Sequence, residues 1–190
     1  VKKRKLKDIK FIIFHYTGMK KETDAINKLT NQKSKVSSHY FIKSNGDILT
    51  LVPDLYTAWH AGISSWKKYK SINKYSIGIE IANPGHENKY KKFSRKQINS
   101  ILKLTKFLIK KYKIKSDFIL GHSDIAPVRK RDPGEKFPWK YLSSNKIGYW
   151  HNLNQNFILK KRNIKINKKK KLRFIQNLFK IGYSKNKTIS

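Results

Sequence analysis

The sequence predicts an α/β domain. Residues 11–16 and 76–82 are apolar runs rich in β-branched and aromatic side chains, the pattern of buried strands. An Asn-Gly pair, Asn45-Gly46, separates two further strand-like runs and marks a hairpin. Residues 94–112 carry apolar side chains at the spacing of an amphipathic helix. The chain has 190 residues, enough for one domain with a sizeable core and an extension.

Residues 1–10 form a charged lead-in. In an extended 11–16 segment, Phe11, Ile13 and His15 share one face, and Thr17-Gly18 ends the strand. Asp24 is expected to cap a short helix through Ala25, Ile26 and Leu29. Residues 38–43 and 47–52 are the arms of the hairpin. Residues 53–75 read as loop, with a dense aromatic set of Tyr56, Trp59, Trp66, Tyr69 and Tyr75. In the 76–82 strand, Ile77, Ile79 and Ile81 point one way and Gly78, Glu80 and Ala82 the other. Ser94-Arg95-Lys96-Gln97 fits a capping box, followed by Ile98, Ile101, Leu102, Leu104, Thr105, Leu108 and Ile109 on one helical face. Residues 117–121 read as a short strand leading to His122, and residues 138–142 begin the last helix of the main domain. A boundary falls near Trp150. It divides a main domain, 1–150, from a Lys-rich extension, 151–190, in which residues 172–179 form one short amphipathic helix. No residue after Glu135 is acidic.

The formal net charge is +34, and 39 of the 45 basic residues are Lys. Lys, Ile and Asn all have A/T-rich codons, so base bias accounts for much of the excess. Specific nucleic-acid recognition draws more on the bidentate fork of Arg, so no specific nucleic-acid partner is expected. A loose attraction to anionic cell-wall polymers is compatible with the charge. There is no cysteine, hence no disulfide framework and no thiolate metal site. No apolar stretch approaches the ~18 residues of a transmembrane helix, and the basic N-terminus lacks a following signal-type apolar core. Nothing in the sequence demands more than a monomer.

His15 ends one apolar run, His122 ends another, and Asp132 follows in Arg129-Lys130-Arg131-Asp132-Pro133-Gly134. Two imidazoles and a carboxylate can hold a zinc ion and leave a fourth position open for water, the mark of a catalytic rather than a structural site. Taken singly, these residues have plainer readings: a hydrogen-bonding His at a strand end, a turn Asp before Pro-Gly. The combination points to metal. Glu80 closes a strand of isoleucines, where a carboxylate is costly unless exposed at a sheet edge or partnered; its functional reading is a general base. Lys130, two residues before Asp132, can stabilise an oxyanion, although Lys is abundant throughout. His60, in Ala58-Trp59-His60-Ala61-Gly62, suits a cleft wall over a sugar or peptide. His39 starts a strand. His86 and His151 lie in polar loops and receive no role.

These residues occur in ordered segments: Phe14-His15-Tyr16-Thr17-Gly18, Ser37-Ser38-His39-Tyr40, Ala58-Trp59-His60-Ala61-Gly62, Ser76-Ile77-Gly78-Ile79-Glu80, and Gly121-His122-Ser123-Asp124-Ile125-Ala126-Pro127 with Lys130-Arg131-Asp132-Pro133-Gly134. In that order, over residues 9–150, the chain resembles the type-2 N-acetylmuramoyl-L-alanine amidases, and most of all the AmiD branch, the envelope amidases of Gram-negative bacteria. The resemblance implies a mixed central sheet flanked by helices, the fold shared with peptidoglycan recognition proteins. It places one zinc ion per chain on His15, His122 and Asp132, the catalytic glutamate on Glu80 and the basic helper on Lys130. The phage lysozyme branch uses a tyrosine just before the hairpin histidine; that position is Ser38 here, which groups the chain with the glutamate users. The implied reaction is hydrolysis of the amide between N-acetylmuramic acid and L-alanine in peptidoglycan or muropeptides, with Trp59, His60 and Asn83 in the substrate groove. The alternative is a recognition module without catalysis, which would lack a ligand or the base. AmiD-type proteins carry a helical peptidoglycan-binding-like module after the catalytic domain; the forty residues 151–190 read as a remnant of it or as a segment packed on the catalytic domain. The resemblance implies the cell envelope or periplasm, and the lack of a visible leader keeps the cytoplasm open.

Overall fold

The computed structural model describes residues 2–184. Its seven strands are β1 (Phe11–Tyr16), β2 (Tyr40–Ile42), β3 (Ile48–Thr50), β4 (Ser65–Trp66), β5 (Tyr69–Lys70), β6 (Ser76–Ile81) and β7 (Ile119–Gly121). Five form one mixed sheet in the order β3-β2-β6-β1-β7, and β4-β5 is a separate small ribbon. β1 lies between β6 and β7, parallel to both; β2 is parallel to β6 and antiparallel to its hairpin partner β3. The alternation read in β1 is realised. Ile12 and Phe14 enter one core with Ile77, Ile79 and Ile81, and Phe11 and Ile13 enter another on the opposite face.

The helices are α1 (Glu22–Thr30), α2 (Arg95–Tyr112), α3 (His122–Ile125), α4 (Trp139–Ser144), α5 (Gln155–Arg162) and α6 (Lys168–Ile181). The capping box that starts α2 is made in both halves. Gln97 N–H donates to Ser94 Oγ at 3.2 Å, and Ser94 N–H donates to Gln97 Oε1 at 3.0 Å. Ile101, Leu104 and Leu108 of α2 pack on the isoleucines of β6. The other face is covered by Trp66 and Ile72 over Phe11 and Ile13, and by Ala25 of α1 beside Phe41 and Ala82. Complete burial of Phe11, Ile12, Ile13 and Phe14 stabilises the central strand by roughly 1.5–3 kcal/mol per side chain.

Three local expectations are corrected. Asp24 sits inside the first turn of α1 and does not cap it; the helix begins after Lys21, and Glu22 and Asp24 face the positive end of its dipole instead. The stretch 53–75 is not all loop: it folds into the β4-β5 ribbon and a 3₁₀ turn, Ile72–Tyr75. The extension contains two helices where the sequence predicts one over 172–179. Asn154 Oδ1 accepts from Asn156 and Phe157 N–H, and Asn167 Oδ1 accepts from Lys170 N–H, so each helix starts on an Asn cap within the Lys/Asn-rich tract. The end of the extension docks on the main domain. Lys67 N–H donates to Gly182 O at 2.6 Å, Tyr183 OH donates to Asp124 Oδ1 at 2.8 Å, and the Tyr183 ring meets Trp66 edge-on at 5.0 Å. Residues 185–190 of the predicted extension lie outside the described residues.

Leu108→Ala is expected to lower stability by about 2–5 kcal/mol in urea denaturation, because it opens a cavity between α2 and the sheet. Phe107→Ala, one position along on the exposed face, is expected to change it by about 0.5 kcal/mol or less.

Candidate metal centre

Parallel strands bring their C-terminal ends to one edge of a sheet, where ligand sites of α/β proteins form. His15 is the fifth residue of β1, and its register partner across the parallel pairing is Glu80 of β6. β7, on the other side of β1, hands the chain directly to His122 at the start of α3. The loop after α3 folds back so that Ser123 N–H donates to Asp132 O at 2.9 Å. That bond returns the Asp132 carboxylate to the strand ends.

His15 Nδ1, His122 Nδ1 and Asp132 Oδ2 form a triangle with every edge 3.0 Å. All three residues are buried, and they are the one cluster among the described residues arranged to hold a metal ion. Ligands of a tetrahedral zinc at about 2.0–2.1 Å stand about 3.3 Å apart, so the triangle is within a few tenths of an ångström of a zinc site. Burial, and then the neighbouring His122, push His15 down to about 4, so its ring is neutral at neutral pH. Burial, then His15 and His39, hold His60 well below the usual histidine value. Two imidazoles and one carboxylate, with a cleft in front of them, match the donor set of a zinc site with an open position. The residues present therefore fit the metal.

Glu80 lines the same cleft, which has a volume of about 360 Å³. Its Oε2 is closed to solvent and has no hydrogen-bond partner. Burial above all, and then the charge of Asp132, raise its proton affinity well above the ordinary glutamate value; Lys130 and Lys28 act the other way. Lys130 and Trp59 line this cleft too, Trp59 with 47% of its surface exposed. His60 lies on the cleft floor with both ring nitrogens engaged, Nδ1 by His15 Nε2 at 2.9 Å and Nε2 by Ser76 Oγ at 3.0 Å. Asn83 lines an adjoining depression, and its amide is taken up by Lys91 O and Gly85 N–H. His60 therefore has no ring nitrogen left over, and Asn83 lies outside the cleft that holds Glu80. His86, given no role from sequence, joins Tyr16 OH at 2.8 Å to Glu135 at 2.9 Å and so ties the neighbour of His15 to the loop after Asp132.

The buried Glu80 carboxyl has a testable consequence in metal-free protein. Its folded value is raised, so the folded state holds the proton more tightly, and stability falls as pH rises above the unfolded-chain value of about 4.3. The stability difference between Glu80→Gln and the unsubstituted protein, measured by urea denaturation in chelator, is expected to be flat below about pH 4 and to move in favour of the variant above it. A difference independent of pH would show that Glu80 is ionised at no cost.

Comparison with known proteins shows the family. A family model described as N-acetylmuramoyl-L-alanine amidase (Amidase_2) matches residues 5–135. N-acetylmuramoyl-L-alanine amidase AmiD of Escherichia coli K12 is 39% identical over 154 residues, 75% of this chain and 55% of the relative. 1,6-anhydro-N-acetylmuramyl-L-alanine amidase AmpD of Haemophilus influenzae is 41% identical over 114 residues, 59% of this chain and 60% of the relative. The matched segment thus spans little more than half the length of either. The solved complex of Escherichia coli AmiD with anhydro-N-acetylmuramic acid-L-Ala-D-gamma-Glu-L-Lys superposes with a TM-score of 0.81 at 33% identity, over 95% of this chain and 74% of that one. The mixed sheet and the order of motifs are those of the type-2 N-acetylmuramoyl-L-alanine amidases, and the chain belongs to that family.

Proposed function

We propose that this protein is a zinc-dependent amidase that cleaves the bond between the lactyl group of N-acetylmuramic acid and L-alanine, in peptidoglycan or in muropeptides released from it. The observation that carries the reading is the pairing of His15 with Glu80 across β1 and β6. It sets an unpartnered buried carboxylate oxygen in the same cleft as the triangle of His15, His122 and Asp132. The names of the AmiD and AmpD relatives, and the anhydromuramyl peptide in the solved AmiD complex, support the substrate class.

His15, His122 and Asp132 would hold one zinc ion. Bound there, zinc supplies Lewis acidity to the scissile carbonyl and to water. Glu80 takes the proton of the attacking water and returns it to the leaving amine nitrogen; a carboxylate with raised proton affinity suits both halves of that transfer. The Lys130 ammonium balances the negative charge that develops on the carbonyl oxygen. Trp59 offers an exposed indole at the rim for a sugar ring. In this reading residues 1–150 are the catalytic unit and 151–190 an accessory extension. The cell envelope is where such a substrate lies; among the described residues no helix is long and apolar enough to cross a membrane.

The test is incubation of the zinc-loaded protein with purified peptidoglycan and, separately, with an anhydro-muropeptide, followed by mass spectrometry for stem peptides that begin at L-alanine. Glu80→Ala is expected to slow release by roughly 10²–10⁴-fold while keeping its zinc. Lys130→Ala is expected to lower kcat by about 10²-fold. A folded, zinc-loaded protein that releases nothing from either substrate would overturn the amidase reading in favour of a recognition module.

A further inference from the structure

We propose that the His60–Ala61 step is the template of the metal centre: it fixes which nitrogen of each ligand histidine is bare, and Asn73, Gly78 and Arg129 hold it in place. The proposal rests on the zinc reading above and concerns positioning residues that do not touch substrate.

Both ligand histidines turn Nδ1 toward Asp132 and Nε2 toward this step. His122 Nε2 lies 3.1 Å from the carbonyl oxygen of Ala61. A carbonyl only accepts, so the proton of an uncharged His122 ring is on Nε2 and its Nδ1 is bare. For His15 the same conclusion comes through three linked bonds. Ser76 Oγ donates its only proton to Ile72 O at 2.8 Å. It therefore accepts from His60 Nε2, 3.0 Å away. An uncharged His60 then has a bare Nδ1, which accepts from His15 Nε2 at 2.9 Å. His15 Nδ1 is left bare. In the uncharged rings, two lone pairs and a carboxylate oxygen thus converge with 3.0 Å edges, an arrangement that a cation relieves.

The step itself is gripped from three sides. Asn73 Oδ1, in the 3₁₀ turn below, accepts from both His60 N–H (3.1 Å) and Ala61 N–H (2.7 Å). Arg129 Nη2, three residues before the ligand Asp132, donates to Ala61 O (2.5 Å) and Ile63 O (2.8 Å). Gly78 of β6 is the seat of the His60 ring: a Cβ at that position would stand 2.4 Å from the nearest ring carbon. One dipeptide therefore carries both outer contacts of the metal ligands. Its supports come from the sheet, the turn after the ribbon and the loop that delivers the third ligand.

The test uses the full chain and reads metal directly. Zinc affinity is measured by competition with a chromophoric chelator, histidine tautomers by long-range ¹H–¹⁵N NMR of the metal-free protein, and ligand geometry by the visible spectrum of the Co²⁺ form. His60→Leu and Gly78→Ala are expected to weaken zinc binding about 10–100-fold, and Ser76→Ala by less. In His60→Leu, His15 is expected to pass from a pure Nε2–H tautomer to a mixture and the Co²⁺ spectrum to change. His60→Gln, which keeps an acceptor for His15 Nε2, is expected to recover part of the affinity. Because His60→Leu and Gly78→Ala perturb packing, Ser76→Ala is the decisive mild variant, and chelator-treated stability is recorded for each. Unchanged zinc affinity and tautomers in folded Ser76→Ala and His60→Leu would overturn the template while leaving the zinc site standing. Absence of zinc binding by the unsubstituted protein would overturn both. A fully competent metal site in a protein without amidase activity would overturn the functional reading alone.

Discussion

The parallel register of β1 on β6, with His15 opposite Glu80, is the constraint from which the rest of the site follows. Side chains alternate along a strand, so a slip of one residue would turn Glu80 into the core beneath α2 and bring an isoleucine into the cleft. Two independent demands prevent it. Ile77, Ile79 and Ile81 are fully buried against α2, and Gly78 must face the His60 ring because no side chain fits between them. Hydrophobic burial on one face of β6 thereby sets the chemistry on the other.

Around that register the protein builds a dense, ordered polar interior. His15, His39, His60 and His122 are each less than 9% exposed, and their nitrogens meet backbone, hydroxyl, carboxylate or guanidinium groups or one another. The N-terminal segment is drawn into the same structure. Arg4 donates to Asp54 O, Asn73 O and Ser76 O, which ties the lead-in to the turn that carries Asn73 and to the first residue of β6. Burial lowers Arg4 to about 10, still far above neutral, so this clasp remains charged under ordinary conditions. Buried networks of this kind are stabilising only when nearly every member is satisfied. Glu80 Oε2 departs from that rule, in the cleft that His15, His122 and Asp132 also line.

Much of this was legible in the sequence because it rests on local periodicity. The β1 and β6 alternation, the Asn-Gly hairpin and the Ser94/Gln97 box are short-range signals, and each is realised. The cluster of His15, His122 and Asp132 came from their places at the ends of apolar runs and in a Pro-Gly turn, reinforced by the order of motifs. What local signals do not carry was missed. His60 does line the cleft, as its sequence neighbourhood suggested, but its contacts with His15, Ser76 and Gly78 lie far away in sequence and have no local signal. Asn73 and Arg129 act through one amide oxygen and one guanidinium on backbone far away in sequence, and neither position has a compositional mark. Asp24 was misjudged because the helix already starts at Glu22, and the helices of the extension because that segment offers several Asn as caps with Lys between them and little apolar periodicity to choose among them.

The claim on which everything else stands is that three buried atoms at the C-terminal edge of the sheet hold one zinc ion. Anomalous diffraction at the zinc edge, from crystals grown with one equivalent of metal, addresses it most directly. A single peak is expected about 2.0–2.1 Å from His15 Nδ1, His122 Nδ1 and Asp132 Oδ2, with the cleft open on its fourth side. Zinc bound through the Nε2 atoms, zinc bound only elsewhere on the chain, or no peak at full metal loading would contradict it.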